Sequence, residues 1–207
     1  MKLKIRVRWL ALLLLTLLVA TPVMADIQFG LRAGANLAKF TGADIQEFSD
    51  TIKNKAGLVA GIFLSINFGK IITIQPEVLY SMKGAALSEP IPEYSGKLYA
   101  DYLEIPLLLK LRLPLPVLQP VIFAGPSVGF KLKEKYVLNG QTVELQENLF
   151  QNNDYGAIFG AGLDLGRHLQ FDFRYSLGLK KVISAAQGET PPDIKNGVWS
   201  ITVGLAF

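Results

Sequence analysis

Residues 197–207, GVWSITVGLAF, decide the fold, because apolar side chains alternate with small or polar ones up to the last residue of the chain. A period of two places the apolar set on one face of a β-strand and the other set on the opposite face. Residues 169–180, LQFDFRYSLGLK, alternate in the same way without exception. Both segments therefore predict β-strands with one apolar face. The apolar residues of the last strand are Trp199, Ile201, Val203, Leu205 and Phe207.

Six more segments show this alternation, which gives eight predicted strands. They span 27–40, 58–68, 72–81, 98–112, 121–132, 155–165, 169–179 and 197–207. Long polar connections at 41–56, 82–97, 133–153 and 181–195 alternate with short ones at 68–70, 113–119 and 166–168. An even number of strands, with short turns at one end and long loops at the other, is typical of outer-membrane barrels. We predict an all-β fold, an eight-stranded antiparallel up-and-down transmembrane β-barrel whose apolar faces contact lipid.

The first 25 residues have the features of a secretory signal peptide. Basic residues precede an apolar stretch from Trp9 to Ala20, and Val23 and Ala25 occupy the positions before a cleavage site. We expect cleavage before Asp26, which divides the chain into a signal peptide, 1–25, and an outer-membrane barrel domain, 26–207. Four of the 21 Lys and Arg lie in the signal, which leaves 17 against 17 Asp and Glu. A neutral mature chain argues against a nucleic-acid partner.

Aromatic residues give two further indications of a membrane barrel. A chain that ends flush with an apolar strand and an aromatic residue resembles the C-terminal signal of outer-membrane barrels. We therefore expect Phe207 to be an assembly signal for the barrel-assembly machinery. Other aromatics near strand ends are candidates for interfacial girdles. These are Phe29, Phe68, Tyr80, Tyr155, Phe171, Tyr175 and Trp199.

The polar faces of the strands would line the interior of the barrel. With eight strands, that interior is just wide enough to be filled by side chains. Four predicted inward cations balance four anions, as a sealed interior requires, since an unpaired buried charge is costly. We therefore predict a packed polar plug rather than a pore. The residues of this interior charge network are Arg32, Lys110, Arg112, Arg174, Glu77, Glu104, Asp164 and Asp172.

Three prolines, Pro76, Pro106 and Pro126, fall within predicted strands. A closed barrel has no edge at which a missing N–H group can face solvent. We therefore expect each proline to mark a β-bulge or a carbonyl group that water satisfies.

Motifs for catalysis and cofactor binding are weak. His168, the only histidine, lies in a predicted short turn, and clustered His or Cys ligands for a metal are absent. Gly160–Gly162 is not followed by the helix of a dinucleotide site. We predict no catalytic, cofactor-binding or metal-binding residues and no cofactor. One alternative stays open, an interior carboxylate pair that performs acid–base chemistry.

Several segments of the mature chain resemble the PorT-like family of outer-membrane β-barrel proteins. They are FGLRAGAN (29–36), IQPEVLYSMKG (74–84), YLEIPLLLK (102–110), FAGPSVG (123–129) and GAGLDLG (160–166). Two of the three strand prolines, Pro76 and Pro106, lie within them. The resemblance implies an outer-membrane barrel without a known catalytic site. Some members of the family are associated with protein secretion across the outer membrane.

These observations together favour a non-enzymatic integral protein of the bacterial outer membrane with periplasmic termini. We expect it to act through its extracellular loops or its partners, in envelope structure, as a secretion accessory or in adhesion. The expected partners are outer-membrane lipid, the barrel-assembly machinery and, for function, secretion or surface proteins. The alternatives are a narrow channel for small solutes, a barrel enzyme acting on lipid or peptide, and a soluble lipid-carrying barrel with its apolar face inside.

Overall fold

The computed structural model describes residues 25–42, 52–88, 95–138, 141–143, 151–181 and 193–207. Within them no helix is long and apolar enough to cross a membrane. The predicted signal peptide lies outside them apart from Ala25, so its cleavage stays a prediction. The strands are β1 (Asp26–Thr41), β2 (Ile52–Lys53), β3 (Lys55–Phe68), β4 (Ile72–Ser88), β5 (Ser95–Arg112), β6 (Leu118–Leu138), β7 (Gln141–Val143), β8 (Asn153–Leu165), β9 (Leu169–Gly178) and β10 (Lys195–Ala206).

Eight long strands form a closed antiparallel barrel in which consecutive long strands are neighbours. The barrel closes where β1 pairs with β10, in continuous register from Gly30↔Ala206 to Thr41↔Lys195. Closure removes every open edge, so all of these strands pair on both sides. The two short strands are additions at the long-loop end, where β2 pairs with β4 and β7 pairs with β6. The predicted eight-stranded up-and-down barrel is confirmed.

Side chains alternate between the outer surface and the interior as the period of two predicts. On β9, Phe171 and Phe173 are 38% and 51% exposed, whereas Asp172 and Arg174 between them are 2% and 3% exposed. The same parity holds on β10, where Ile201 is exposed and Thr202 is buried. The apolar faces therefore point away from the barrel axis, and the interior is largely polar. A lipid-carrying barrel with an apolar interior would need the opposite arrangement.

The two tight turns place glycine where the backbone requires it. Gly69 and Gly166 have φ angles of +66° and +59°, in the left-handed region that favours glycine. Phe68 pairs with Ile72 and Leu165 pairs with Leu169, so each turn has three residues. Strand parity requires an odd number of turn residues, because the inward residues of β8 and β9 are both even-numbered. The turn at 166–168 lies where the sequence predicts it, whereas the first turn is 69–71 rather than 68–70. Both termini of the barrel lie at this short-turn end.

No β-bulge occurs at the three strand prolines, and the alternative expectation, a carbonyl group that water satisfies, stays a prediction. The register between neighbouring strands is the same on either side of Pro76, Pro106 and Pro126. Each proline instead lies where the ladder to one neighbour is interrupted for two residue pairs, while its pairing to the other neighbour continues. The missing N–H group of each proline therefore interrupts the ladder over a short stretch. No extra residue is inserted, so the side chains on either side of the proline stay on the faces that the alternation predicts.

The strands also run further than the sequence predicts. Residues 82–88, 95–97 and 133–138 were assigned to polar loops, but they continue β4, β5 and β6. The sequence of these segments does not alternate between apolar and polar residues. A strand that projects beyond lipid does not need apolar side chains on its outer face. Within the described ladders, the one register shift lies between Asp101 and Tyr102 on β5, opposite β6.

Candidate functional site in the barrel interior

Five charged side chains meet in the middle of the barrel and form what we term the central cluster. They come from β1, β4, β5 and β9, and each is at most 3% exposed. Every one occupies an inward position of its strand, so backbone alternation alone delivers it to the interior. The central cluster consists of Arg32, Glu77, Lys110, Asp172 and Arg174.

Arg174 connects opposite walls of the barrel. Its guanidinium donates two hydrogen bonds to Glu77, Nη1 to Oε2 at 2.6 Å and Nη2 to Oε1 at 2.9 Å. Strand β9, which carries Arg174, and strand β4, which carries Glu77, are four strands apart in either direction around the ring. Nη2 of Arg174 also donates to Asp172 Oδ2 at 2.8 Å. This bidentate pair therefore spans the full width of the lumen.

Arg32 and Lys110 complete the central cluster from the other walls. Arg32 Nη1 donates to Asp172 Oδ2 at 2.5 Å, and its Nε lies 3.3 Å from Glu77 Oε1. Lys110 Nζ is 3.6 Å from Asp172 Oδ1. Both carboxylates thus lie between cations, which offsets the cost of removing them from water.

Neutral side chains surround the cluster and fill the space between its charges. Gln170 Oε1 accepts from Arg32 Nη2 at 2.7 Å, and Gln75 Nε2 donates to Glu77 Oε1 at 2.6 Å. The Phe63 ring centroid lies 4.9 Å from the Arg32 guanidinium carbon, and that of Phe123 lies 5.4 Å from the Arg174 carbon. These contacts add cation–π attraction and exclude water from the centre.

Two inward glycines make room for these rings. A Cβ atom on Gly30 would lie 2.2 Å from the Phe63 ring, and one on Gly160 would lie 2.6 Å from the Phe123 ring. The space that the missing side chains leave is therefore occupied by interior aromatics. These phenylalanines are not among the predicted interior residues, although both occupy inward positions of their strands.

A second charged group lies between the central cluster and the long loops. Lys83 Nζ is 3.1 Å from Glu104 Oε1 and 3.4 Å from Asp154 Oδ2, and Asn196 Nδ2 donates to the same Asp154 oxygen at 2.9 Å. Glu104 is among the predicted interior residues, whereas Lys83, Asp154 and a further buried lysine, Lys55, are not. All three lie outside the predicted strand limits, and extending the strand parity by a few residues would have found them.

The remaining predicted residues, Arg112 and Asp164, lie near the short turns. Arg112 Nη2 is 2.9 Å from Asp164 Oδ2, and this pair lines a cavity of about 490 Å³. Arg167 and Asp26 form an exposed ion pair at its rim. The eight predicted charges therefore lie at three levels along the barrel axis, and five of them belong to the central cluster.

The three levels leave every interior carboxylate of the described strands beside a cation. Glu77 and Asp172 in the central cluster are at most 2% exposed, whereas Asp164 lines the cavity near the short turns. What the arrangement can do chemically is hold the strands at fixed separations and block the lumen. His168, in the turn at 166–168, is exposed and its ring nitrogen Nδ1 lies 2.9 Å from the carbonyl oxygen of Ala206.

A closed antiparallel β-barrel with an apolar outer surface and a polar interior is characteristic of outer-membrane barrel proteins. The family model described as "Outer membrane protein beta-barrel domain" matches residues 21–184. The chain therefore belongs to this family, which places it in the bacterial outer membrane. No curated protein matches the chain.

Solved structures with a similar fold are outer-membrane proteins. The chain is 17% identical to Neisserial surface protein A (NspA), with 88% of this chain and 99% of that chain covered and a TM-score of 0.49. The chain is 15% identical to OprG from Pseudomonas aeruginosa, with 88% of this chain and 97% of that chain covered and a TM-score of 0.48. It is 14% identical to Ail, the attachment invasion locus protein of Yersinia pestis, with 88% of this chain and 99% of that chain covered and a TM-score of 0.46. Identities this low carry no information on function.

Proposed function

We propose that this protein is a non-enzymatic outer-membrane barrel with a sealed lumen, which acts through its long-loop end or through partner proteins. Envelope structure, assistance to secretion and adhesion are the roles that suit such a barrel. The termini and short turns face the periplasm in this proposal, and the long loops face the cell exterior.

The observation that carries the proposal is the ion pair between Arg174 and Glu77. It joins opposite walls, both side chains are at most 3% exposed, and Arg32 and Lys110 flank it. A solute would have to break several buried ion pairs to pass, at a cost of roughly 3–5 kcal/mol for each pair that loses a partner. Such a barrier suits a structural barrel better than a transport path.

Planar-bilayer recording tests the sealed lumen. Residues 26–207, folded in detergent and inserted into the bilayer, are expected to show no discrete conductance steps. A detergent gel run beforehand supplies the folding control, because a closed barrel migrates differently before and after boiling. Reproducible single-channel steps from heat-modifiable protein would contradict the proposal.

A narrow channel for small solutes is the second candidate, and the cavity at the short-turn end favours it. This cavity of about 490 Å³ extends from Asp26 and Arg167 at its rim to Gln170, which contacts the central cluster. An opening of the cluster would connect this space to the long-loop end. Under this candidate, the Glu77→Gln variant raises the open probability in the same recordings.

Membership of the PorT-like group is a further proposal, and the position of the shared segments supports it. The QPE segment supplies Gln75 and Glu77, and YLEIPLLLK supplies Glu104 and Lys110. These segments therefore build the interior rather than a surface site, which is consistent with an architectural role. Cross-linking in cells of the source bacterium, followed by identification of captured secretion components, tests the secretion role.

Orientation and assembly complete the proposal. The chain has no cysteine, so single cysteines at His168→Cys and Asp193→Cys report the two ends. A membrane-impermeant maleimide on intact cells is expected to label position 193 and not position 168. Phe207 is the assembly signal in this scheme, so its deletion should slow folding by the barrel-assembly machinery.

A further inference from the structure

An outward-facing pocket of about 540 Å³ lies on β4, β5 and β6 near the long loops. We term it the outer pocket. Asp101, Lys133 and Lys135 occupy outward positions of their strands, so the pocket is separate from the central cluster. Its lining combines apolar surface with four charged residues, Asp101, Lys133, Glu134 and Lys135, of which Glu134 is paired with Lys131. The residues used below are Met82, Asp101, Lys133 and Lys135.

The irregularity in the β5–β6 ladder creates this pocket. Asp101 pairs with Lys133, whereas the next residue, Tyr102, pairs with Lys131, so Leu132 is an extra residue on β6. A bulge of one residue reverses which face the following side chains occupy. Lys133 and Lys135 are exposed as a result, whereas regular pairing would turn both of them toward the interior.

The pocket lies at the height where lipid headgroups are expected. Lipid-facing residues of β5 run from Leu111 at the short-turn end to Leu103, and Asp101 is the next outward position. Ten residues of a strand tilted by about 40° rise roughly 25 Å along the barrel axis. That height equals the apolar band of such barrels, so the two lysines lie at its upper boundary.

The charges of the pocket are incompletely paired. Among the described residues, neither Lys133 nor Lys135 has an ion-pair partner within 4.0 Å. Asp101 Oδ2 accepts a 2.5 Å hydrogen bond from the Tyr80 hydroxyl. Its other oxygen, Oδ1, is buried and has no hydrogen-bond partner in the described part of the chain. The pocket thus offers two ammonium donors and one vacant acceptor beside apolar surface.

We propose that the outer pocket binds the phosphorylated sugar headgroup of a glycolipid in the outer leaflet. Lys133 and Lys135, two residues apart on one face, bind the phosphate as compact cationic donors. Asp101 Oδ1 accepts from a sugar hydroxyl or amide, and Met82 and the lipid-facing strands below contact the acyl chains. This inference goes beyond the proposed function and uses only the outward orientation of the long loops, which cysteine labelling tests separately.

Native mass spectrometry of residues 26–207 in detergent, titrated with bis-phosphorylated lipid A, tests the proposal. We expect binding to fall about fivefold for Lys133→Gln or Lys135→Gln and about 20- to 30-fold for the double variant. Dephosphorylated lipid A should bind the unmodified protein as weakly as lipid A binds the double variant. Phosphatidylglycerol, which has a phosphate and no sugar ring, should bind more weakly than lipid A and be insensitive to Asp101→Asn.

Lys39→Gln is the matched control. Lys39 also occupies an outward position near the long-loop end, but it lies on β1 and outside the pocket. The Lys39→Gln variant should leave lipid A affinity unchanged, and all variants should keep the shift in gel mobility on heating. Equal loss in Lys39→Gln and in the double variant would show a non-specific charge effect and overturn the site. Unchanged lipid A binding in the double variant would overturn it as well.

Discussion

Replacing Arg174 by methionine removes the group that connects opposite walls of the barrel. The variant keeps most of the side-chain length but deletes two hydrogen bonds to Glu77 and one to Asp172. Both carboxylates stay buried beside fewer cations. We expect the free energy of unfolding to fall because these anions lose their compensation and regain none from water.

The size of the loss in unfolding free energy depends on the charged groups that remain around Glu77 and Asp172. Removing one partner of a buried ion pair typically costs 3–5 kcal/mol. Arg32 still lies 3.3 Å from Glu77 and 2.5 Å from Asp172, which retains part of the compensation. We therefore expect a loss near the lower limit, about 3 kcal/mol. The neutralised pair, Arg174→Met with Glu77→Gln, should recover part of it because only one buried carboxylate then stays next to Arg32.

Urea titration in detergent micelles or liposomes measures this loss. The sequence has two tryptophans, Trp9 in the predicted signal and Trp199 on the outer face, so residues 26–207 report through Trp199 alone. The Trp199 ring stacks on Phe173 at a centroid distance of 4.9 Å, away from the interior. Its fluorescence therefore reports unfolding without sensing the substitution directly.

Arg167→Met provides the matched control for this experiment. Arg167 pairs with Asp26 at the rim, where its side chain is 70% exposed, so its loss should cost at most about 1 kcal/mol. A loss below 1 kcal/mol for Arg174→Met, or a double variant whose loss equals the sum of the two single losses, would refute the role assigned to the ion pair.

Three further substitutions test other parts of the structure by the same titration. Ile201→Lys places a charge on the lipid face about midway through the apolar band and should cost roughly 2–4 kcal/mol in liposomes; an unchanged midpoint would mean that this face does not contact lipid. Lys83→Met leaves Glu104 and Asp154 facing each other and should cost roughly 3 kcal/mol, a loss that Glu104→Gln in the same chain should reduce. Gly34→Ala places a Cβ atom 2.1 Å from the carbonyl oxygen of Ile201 at the closing pair and should cost roughly 1–3 kcal/mol, whereas normal stability would show that β1 and β10 can separate there.

The sequence by itself determined the number of long strands and which side chains of the predicted strands face inward. A period of two is a local property of the chain, so it predicts which side chains point inward without knowledge of their neighbours. Phe173 and Arg174 were assigned to opposite faces in this way. The odd length of the turn that holds Gly166 followed from strand parity, because opposed residues must share a face.

Only the tertiary structure decided which inward charges meet. Arg174 and Glu77 are 97 residues apart, and their contact depends on closure of the barrel and on the stagger of all its strands. Local alternation contains no information on that stagger. The same holds for the continuous register at Pro106 and for the extra residue Leu132, which turns Lys133 outward. A one-residue change in pairing reverses faces, and only the paired neighbour shows where it occurs.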